Sequence, residues 1–139
     1  MSNVFLIGVF DLYHEGHINL LKNASKLGDN LYVGVVKDAS VRREKGEDRP
    51  VFDEKHRLAI IENNVNVQQA FLIDDFNVSE LYKKVDSKSL VSYSTSIIVR
   101  GEDQNHVKGF EELKAKGCLV VTLERTEGVS TTKLVDKIK

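Results

Sequence analysis

Cysteine and proline are nearly missing from this sequence, and tryptophan is missing entirely. Among the 139 residues, Cys118 is the only cysteine, so no disulfide can form within the chain. It lies in the apolar run 118–121, a setting typical of a buried structural thiol rather than a reactive nucleophile. The only proline, Pro50, closes a polar stretch that begins at residue 37. Neither a disulfide nor a cysteine nucleophile is therefore expected.

Strong net charge and long hydrophobic runs are also missing. The formal net charge is -1, so the chain has no overall positive field of the kind that binds nucleic acid. The N-terminus lacks the basic and apolar segments of a secretory signal, and no apolar run is long enough to span a bilayer. Apolar residues make up 41% and charged residues 29%, as in ordinary globular proteins. We therefore expect one globular domain, residues 1–139, in the cytoplasm, with no nucleic-acid or membrane partner.

Five short apolar runs alternate with amphipathic stretches along the chain. The apolar runs predict β-strands at 3–9, 30–36, 69–73, 97–100 and 119–123. Apolar residues at helical spacing predict helices at 18–27, 53–65, 78–85, 107–116 and 130–137. The segment 37–50, rich in Arg and Lys, is predicted as a polar connection. This alternation favours a single-domain α/β fold with a doubly wound, five-stranded parallel sheet of the Rossmann-like type. Its functional site should lie at the carboxyl ends of the strands.

Two histidines stand where the first predicted strand turns into a helix. Residues 7–17 read Ile-Gly-Val-Phe-Asp-Leu-Tyr-His-Glu-Gly-His, so His14 and His17 lie on either side of Gly16. The first backbone N–H groups of a helix have no partner within the helix, so this junction suits phosphate binding. The sequence has no Walker-type loop, no Gly-x-Gly-x-x-Gly after the first strand and no Gly-x-Ser-x-Gly. No further His or Cys stands at zinc-binding spacing, so no metal site within the protein is expected.

Three other unusual stretches fall at the same predicted edge of the sheet. They are the basic segment 42–45, the acidic turn 101–103 and the segment 125–132. Because parallel strands end at one edge, the two imidazoles, the basic segment and the segment 125–132 are expected to converge on one polyphosphate. Such an arrangement stabilises a transferring phosphoryl or nucleotidyl group by position and charge, without a covalent intermediate.

Two of these stretches resemble signatures of a known family. The run 14–17, His-Glu-Gly-His, looks like the His-x-Gly-His signature of the nucleotidyltransferase superfamily. The run 125–132, Arg-Thr-Glu-Gly-Val-Ser-Thr-Thr, resembles the second signature of its cytidylyltransferase branch. The resemblance covers nearly the whole chain and is strongest to the small bacterial glycerol-3-phosphate cytidylyltransferases. It implies transfer of CMP from CTP to a phosphorylated alcohol, most simply glycerol 3-phosphate, giving a CDP-alcohol and pyrophosphate.

The resemblance also implies roles for individual residues. His14 and His17 would stabilise charge on the α-phosphorus during transfer. Lys45 would reach the α- and β-phosphates, with Arg42 or Arg43 assisting, and Arg125 would hold the outer phosphates. The nucleotide-binding positions would be Gly8, Val9, Phe10, Gly16, Arg42, Gly101, Glu102, Asp103, Thr126, Gly128, Ser130 and Thr131. The acceptor would be contacted by Asp11 and Arg57. Mg²⁺ would be carried by the triphosphate, and the homodimers formed by small relatives imply a homodimer here.

The resemblance is not uniform along the chain. Val9 stands where the glycerol-phosphate enzymes usually have Thr, and Gln104 stands where they have Trp. The run 38–46 looks more like the adenylyltransferases that act on heptose phosphate. An adenylyltransferase that makes an ADP-sugar from ATP and a sugar phosphate is therefore an alternative. A non-catalytic nucleotide-binding module is an alternative of another class.

Overall fold

Five parallel strands form the centre of the structure, a computed structural model that describes residues 2–102 and 104–124. The strands are β1 (Asn3–Gly8), β2 (Asn30–Val36), β3 (Gln69–Ile73), β4 (Ser96–Gly101) and β5 (Leu119–Leu123). Their order in the sheet is β3-β2-β1-β4-β5, and every neighbouring pair is parallel. The strand order reverses between β1 and β4, and ligands of such sheets bind at the carboxyl ends next to this reversal. The predicted doubly wound parallel sheet is confirmed.

Helices connect the strands and cover both faces of the sheet. They are α1 (Glu15–Ser25), α2 (Asp38–Lys45), α3 (Glu54–Glu62), α4 (Val78–Ser89) and α5 (Phe110–Ala115), with a short 3-10 helix at Tyr93–Thr95. Successive side chains of β1 point to opposite faces, so Phe5 packs with α4 and α5, whereas Leu6 packs with α1 and α3. Burial on both faces explains why β1 and β2 are apolar along nearly their whole length.

The segment between β2 and β3 differs most from the prediction. Residues 38–45 were predicted as a polar connection, but they form the helix α2. Only Ser40 and Val41 of this helix are buried, so its sequence has too few apolar residues to show a helical period. The predicted N-cap of α3 is present, because the Asp53 side chain accepts a 2.8 Å hydrogen bond from the His56 N–H. The helix ends at Glu62, so Val65, predicted on its buried face, is 95% exposed.

The C-terminal part of the described chain agrees with the prediction in outline. Helix α5 begins at Phe110, three residues later than predicted, after Gly109 at a φ of +99°. Cys118 is buried, as its apolar setting predicts. The helix predicted at 130–137 lies outside the described residues. Among the residues that are described, no helix has both the length and the apolar character needed to cross a membrane.

Candidate active site

The two histidines of the first motif form the start of α1. His14 is the N-cap residue, and its Nδ1 accepts a 3.0 Å hydrogen bond from the Gly16 N–H. In return, the Nδ1 of His17 accepts a 3.2 Å hydrogen bond from the His14 N–H. This is the reciprocal arrangement of a capping box, in which Ser or Thr and Glu usually supply the side-chain acceptors. Here two imidazoles do so, and the motif is thereby built into the backbone of the helix start.

The capping bonds determine the tautomer of both rings. A nitrogen that accepts a hydrogen bond carries no hydrogen, so in each neutral imidazole the hydrogen is on Nε2. His14 and His17 therefore each have an N–H donor on the side of the ring opposite the helix backbone. Their ring centroids are 3.9 Å apart with an interplanar angle of 24°. The site thus contains two stacked, neutral N–H donors at the positive end of a helix dipole.

Burial keeps both rings neutral. The pKa of His17 is lowered to about 3, mainly by its burial and to a smaller extent by the nearby His14. Burial also lowers the pKa of His14 below its ordinary value of 6.5. Ring contacts enclose His17, since Tyr13 stacks on it with a centroid distance of 5.6 Å and Phe10 meets it edge-on at 5.5 Å. At neutral pH the pair can therefore stabilise an anion as hydrogen-bond donors, rather than as two cations.

A tightly folded turn positions the pair after β1. Phe10 and Leu12 both have left-handed backbone conformations, with φ of 55° and 50°, which non-glycine residues adopt rarely. The Phe10 ring lies so close to Gly8 that a Cβ atom there would be 2.9 Å from it. A side chain at position 8 would therefore require the Phe10 ring to shift.

Asp11 fixes this turn from within the protein. Its side chain has no exposed surface, and its carboxylate accepts hydrogen bonds from the N–H groups of Val51 at 2.6 Å and Phe52 at 2.9 Å. It also accepts one from Leu12 at 3.1 Å. The geometry gives Asp11 a structural role, attaching the segment before α3 to the turn after β1. The acceptor contact predicted for Asp11 has no support in this arrangement.

Arg57 has a similar role at the ends of β1 and β2. The residue is 0% exposed, and its guanidinium donates to the backbone carbonyls of Phe52 at 3.0 Å, Val9 at 2.9 Å and Val36 at 2.7 Å. Its fourth contact is an ion pair of 2.6 Å with Asp38, the first residue of α2. Because every one of these partners lies within the protein, Arg57 is placed to hold the strand ends together. The acceptor contact predicted for it likewise has no support in this geometry.

The basic residues predicted to hold the phosphates lie on the last turn of α2. Arg42 and Lys45 are exposed there, and Arg43 donates a 2.7 Å hydrogen bond to the Ser40 hydroxyl. The Ser40 hydroxyl in turn donates to the Asp74 carbonyl after β3. Through Asp38 and Ser40 the helix is therefore attached to the carboxyl ends of the sheet. The basic side chains project from a helix, not from the irregular loop that composition predicts.

Gln104 connects the ends of β1 and β4, where the strand order reverses. Its amide nitrogen donates to the Ile7 carbonyl at 3.0 Å, and its amide oxygen accepts from the Gly101 N–H at 3.0 Å. Gly101 is buried at the end of β4, and Glu102 is exposed just after it. Asp103 and the positions Arg125, Thr126, Gly128, Ser130 and Thr131 lie outside the described residues.

Sequence reasoning missed the residues that hold the site together. Asp38, Arg49 and Gln104 were given no individual role, although the run 38–46 and position 104 entered the comparison with the family. A signal existed for Asp38, since a polar residue directly after a buried strand often marks the functional edge of such a sheet. No pattern in the sequence identifies the other two.

The comparisons with known proteins agree with this geometry. The sequence matches the family described as Cytidylyltransferase-like over residues 5–137. The chain belongs to this family, a branch of the nucleotidyltransferases.

Curated relatives match nearly the whole chain. Bifunctional protein HldE of Citrobacter koseri is 35% identical over 134 residues, and that of Citrifermentans bemidjiense is 36% identical over 137 residues. These matches cover 95% and 97% of this chain but 26% of each relative, so the chain spans about a quarter of their length.

Solved structures extend the comparison. The lipopolysaccharide core biosynthesis protein from Thermoplasma volcanium is 32% identical with a TM-score of 0.70, covering 91% of this chain and 99% of that one. A bifunctional NMN adenylyltransferase/ADP ribose pyrophosphatase from Francisella tularensis shares the fold at a TM-score of 0.66 and 15% identity. That match covers 98% of this chain and 41% of that one.

Proposed function

We propose that this chain transfers a nucleoside monophosphate from a nucleoside triphosphate to the phosphate of a small acceptor, with release of pyrophosphate. The observation that carries this proposal is the pair of neutral imidazoles, each with its hydrogen on Nε2, locked at the start of α1. Fixed donors of this kind stabilise charge that develops in a transition state without needing to reorganise.

The reaction follows from this arrangement. An oxygen of the acceptor phosphate attacks the α-phosphorus, the bond from that phosphorus to the bridging oxygen breaks, and pyrophosphate leaves with the electron pair. The Nε2–H groups of His14 and His17 donate to the oxygens on which negative charge accumulates. The remaining phosphates would be bound by Arg125 and by two cations at the end of α2, Arg42 and Lys45. The other positions predicted from the sequence to bind the nucleotide would surround these cations.

We also propose that Mg²⁺ enters on the triphosphate and neutralises part of its charge. Among the residues that the structure describes, no three His, Cys, Asp or Glu side chains lie close enough to hold a metal ion. Phosphate oxygens and water would supply most of the ligands of such an ion.

The substrate pair that the comparisons favour is ATP with a sugar phosphate, giving an ADP-sugar. One relative with 32% identity is named as a lipopolysaccharide core biosynthesis protein, and this name supports the proposal of a sugar acceptor. The similarity to the HldE proteins extends over nearly the whole chain. The run 38–46, which resembles the adenylyltransferases acting on heptose phosphate, forms α2 beside the strand ends.

A second candidate is transfer of CMP from CTP to a phosphorylated alcohol, most simply glycerol 3-phosphate. It is favoured by the run 125–132, which resembles the cytidylyltransferase signature more closely than that of the adenylyltransferases.

Pyrophosphate release distinguishes the two candidates. It is measured for ATP and for CTP, each with sugar 1-phosphates and with glycerol 3-phosphate. If no pair releases pyrophosphate while thermal shift shows nucleotide binding, the chain is a binding module and the proposed reaction is wrong. Size-exclusion chromatography with light scattering tests the homodimer.

The role of the histidines is tested by His17→Gln. Glutamine is a natural capping-box residue at this position, so the helix start is retained while the imidazole is lost. We expect turnover to fall at least about a hundredfold, as for the loss of a transition-state donor. His56→Ala is the matched control, because His56 is exposed on α3 and its side chain takes no part in the cap of α1. Turnover of His17→Gln equal to that of the control would remove the assigned role.

A further inference from the structure

Arg49 is a buried arginine whose side-chain Nε is left without a hydrogen-bond partner by the described part of the chain. The side chain is 9% exposed, and its Nε is buried without a hydrogen-bond partner among the described residues. Its one ion pair is with Asp11, at 3.8 Å between Nε and Oδ2, which is too long for a hydrogen bond. A buried, charged donor without a partner is unfavourable unless something else supplies an acceptor.

Arg57, which is fully buried, shows how this chain satisfies a guanidinium when its role is structural. Arg57 makes three hydrogen bonds to backbone carbonyls and a 2.6 Å ion pair with Asp38. Asp11, the partner of Arg49, already accepts hydrogen bonds from three backbone N–H groups. The carboxylate is therefore stabilised without Arg49, and a purely structural role does not account for the position of this cation.

Arg49 also lies beside the candidate active site. Its backbone is fixed by a 3.1 Å hydrogen bond from its N–H to the Gly46 carbonyl, just beyond the end of α2. Its side chain reaches the turn after β1 at Asp11. Since His14 follows Asp11 by three residues, their Cα atoms are at most about 11 Å apart. A guanidinium with several donors in one plane matches the oxygens of a phosphate.

We propose that Arg49 binds a phosphate group of the substrates, a contact that rests on the proposed nucleotidyl transfer. The phosphate belongs either to the nucleoside triphosphate or to the phosphorylated acceptor. Asp11 orients the guanidinium through its carboxylate, and the arriving phosphate supplies an acceptor for the buried Nε.

The test is Arg49→Met, which keeps an unbranched apolar stem and removes the charge. We expect the KM of one substrate to rise at least tenfold with kcat changed by less than threefold. The substrate affected identifies the source of the phosphate.

Arg49→Lys should recover part of the affinity, because it restores the charge but not the planar donor set. Arg100→Met is the matched control, since the Arg100 guanidinium is bonded to Asn105 and lies over the Phe110 ring, and its KM values should stay within twofold. Unchanged KM values for both substrates in folded Arg49→Met overturn the proposal.

Binding measurements separate this proposal from the proposed function. Calorimetric titration with inorganic phosphate and pyrophosphate should show weaker binding to Arg49→Met than to the unaltered protein, even if no substrate pair turns over. Equal binding, or no binding of either probe by the unaltered protein, overturns it. If Arg49→Met does not fold, the arginine Nε–H resonances of the unaltered protein give the answer, with Arg49→Lys assigning the signal. A shift of that signal on addition of either probe or ATP supports the contact, and no shift overturns it.

Discussion

Lowering the pH should destabilise this protein through His17, in an amount that follows from its surroundings. Its pKa is about 3 in the folded protein, whereas an imidazole in the unfolded chain titrates near 6.5. Between these values the unfolded state binds more protons than the folded state, so stability falls as the pH falls. Protonation would also place a hydrogen on the Nδ1 that accepts from the His14 N–H, which breaks the cap.

The expected loss of stability can be calculated for an interval of pH that is easily measured. From pH 7.5 to pH 5.0 the unfolded imidazole becomes almost fully protonated while the folded one stays neutral, which removes about 2 kcal/mol of unfolding free energy. His17→Gln has no titrating group at this position and keeps the cap, so it should lack this loss. Urea denaturation of both proteins at several pH values measures the difference, which corresponds to about 1 M in the midpoint.

The comparison between the two proteins is what tests the reasoning. Other groups, including His14, titrate in both proteins and cancel in the difference. If the two curves of stability against pH run parallel from 7.5 to 5.0, His17 is not held neutral by its surroundings. The account of the pair as two neutral donors would then be wrong.

Three further predictions concern stability, each measured by urea denaturation. Arg57→Met should cost about 3–5 kcal/mol, because it leaves the Asp38 carboxylate and three backbone carbonyls without their cation; a loss below about 1 kcal/mol would contradict its role at the strand ends. Gly34→Ala should cost about 1–3 kcal/mol by overpacking, since a Cβ there would lie 3.0 Å from the Ile7 side chain and 3.1 Å from that of Ile73. Val65→Thr should change stability by less than about 0.5 kcal/mol, as at exposed sites generally. A larger loss would show that Val65 is buried, as its spacing suggests.

The strands could be predicted from the sequence because burial on both faces makes them almost wholly apolar. β3 and β5 begin and end at the predicted residues, and β2 does as well. Helix α2 could not be predicted, because it is stabilised by polar contacts of Asp38 and Ser40 rather than by an apolar face. Val65 was misplaced because apolar spacing continues past the residue where the helix ends.

Some residues of the candidate site could be predicted from the sequence, and others could not. His14 and His17 could be located because their motif is local and its position at a helix start is implied by the residues around it. The roles of Asp11 and Arg57 depend on partners about 40 and 20 residues away along the chain, to which sequence spacing gives no access. In the structure these two side chains bond mainly to backbone groups, and each also has an ion pair within the protein.

The shared cap of His14 and His17 also determines how the site can handle protons. In each ring the only basic nitrogen is Nδ1, and that nitrogen is engaged by a backbone N–H. Neither imidazole can therefore act as a general base without releasing the first turn of the helix. The proposed reaction does not require a base, because an acceptor phosphate is largely ionised above its second pKa of about 6. Turnover should then follow the ionisation of the acceptor, with almost no solvent deuterium effect on the chemical step.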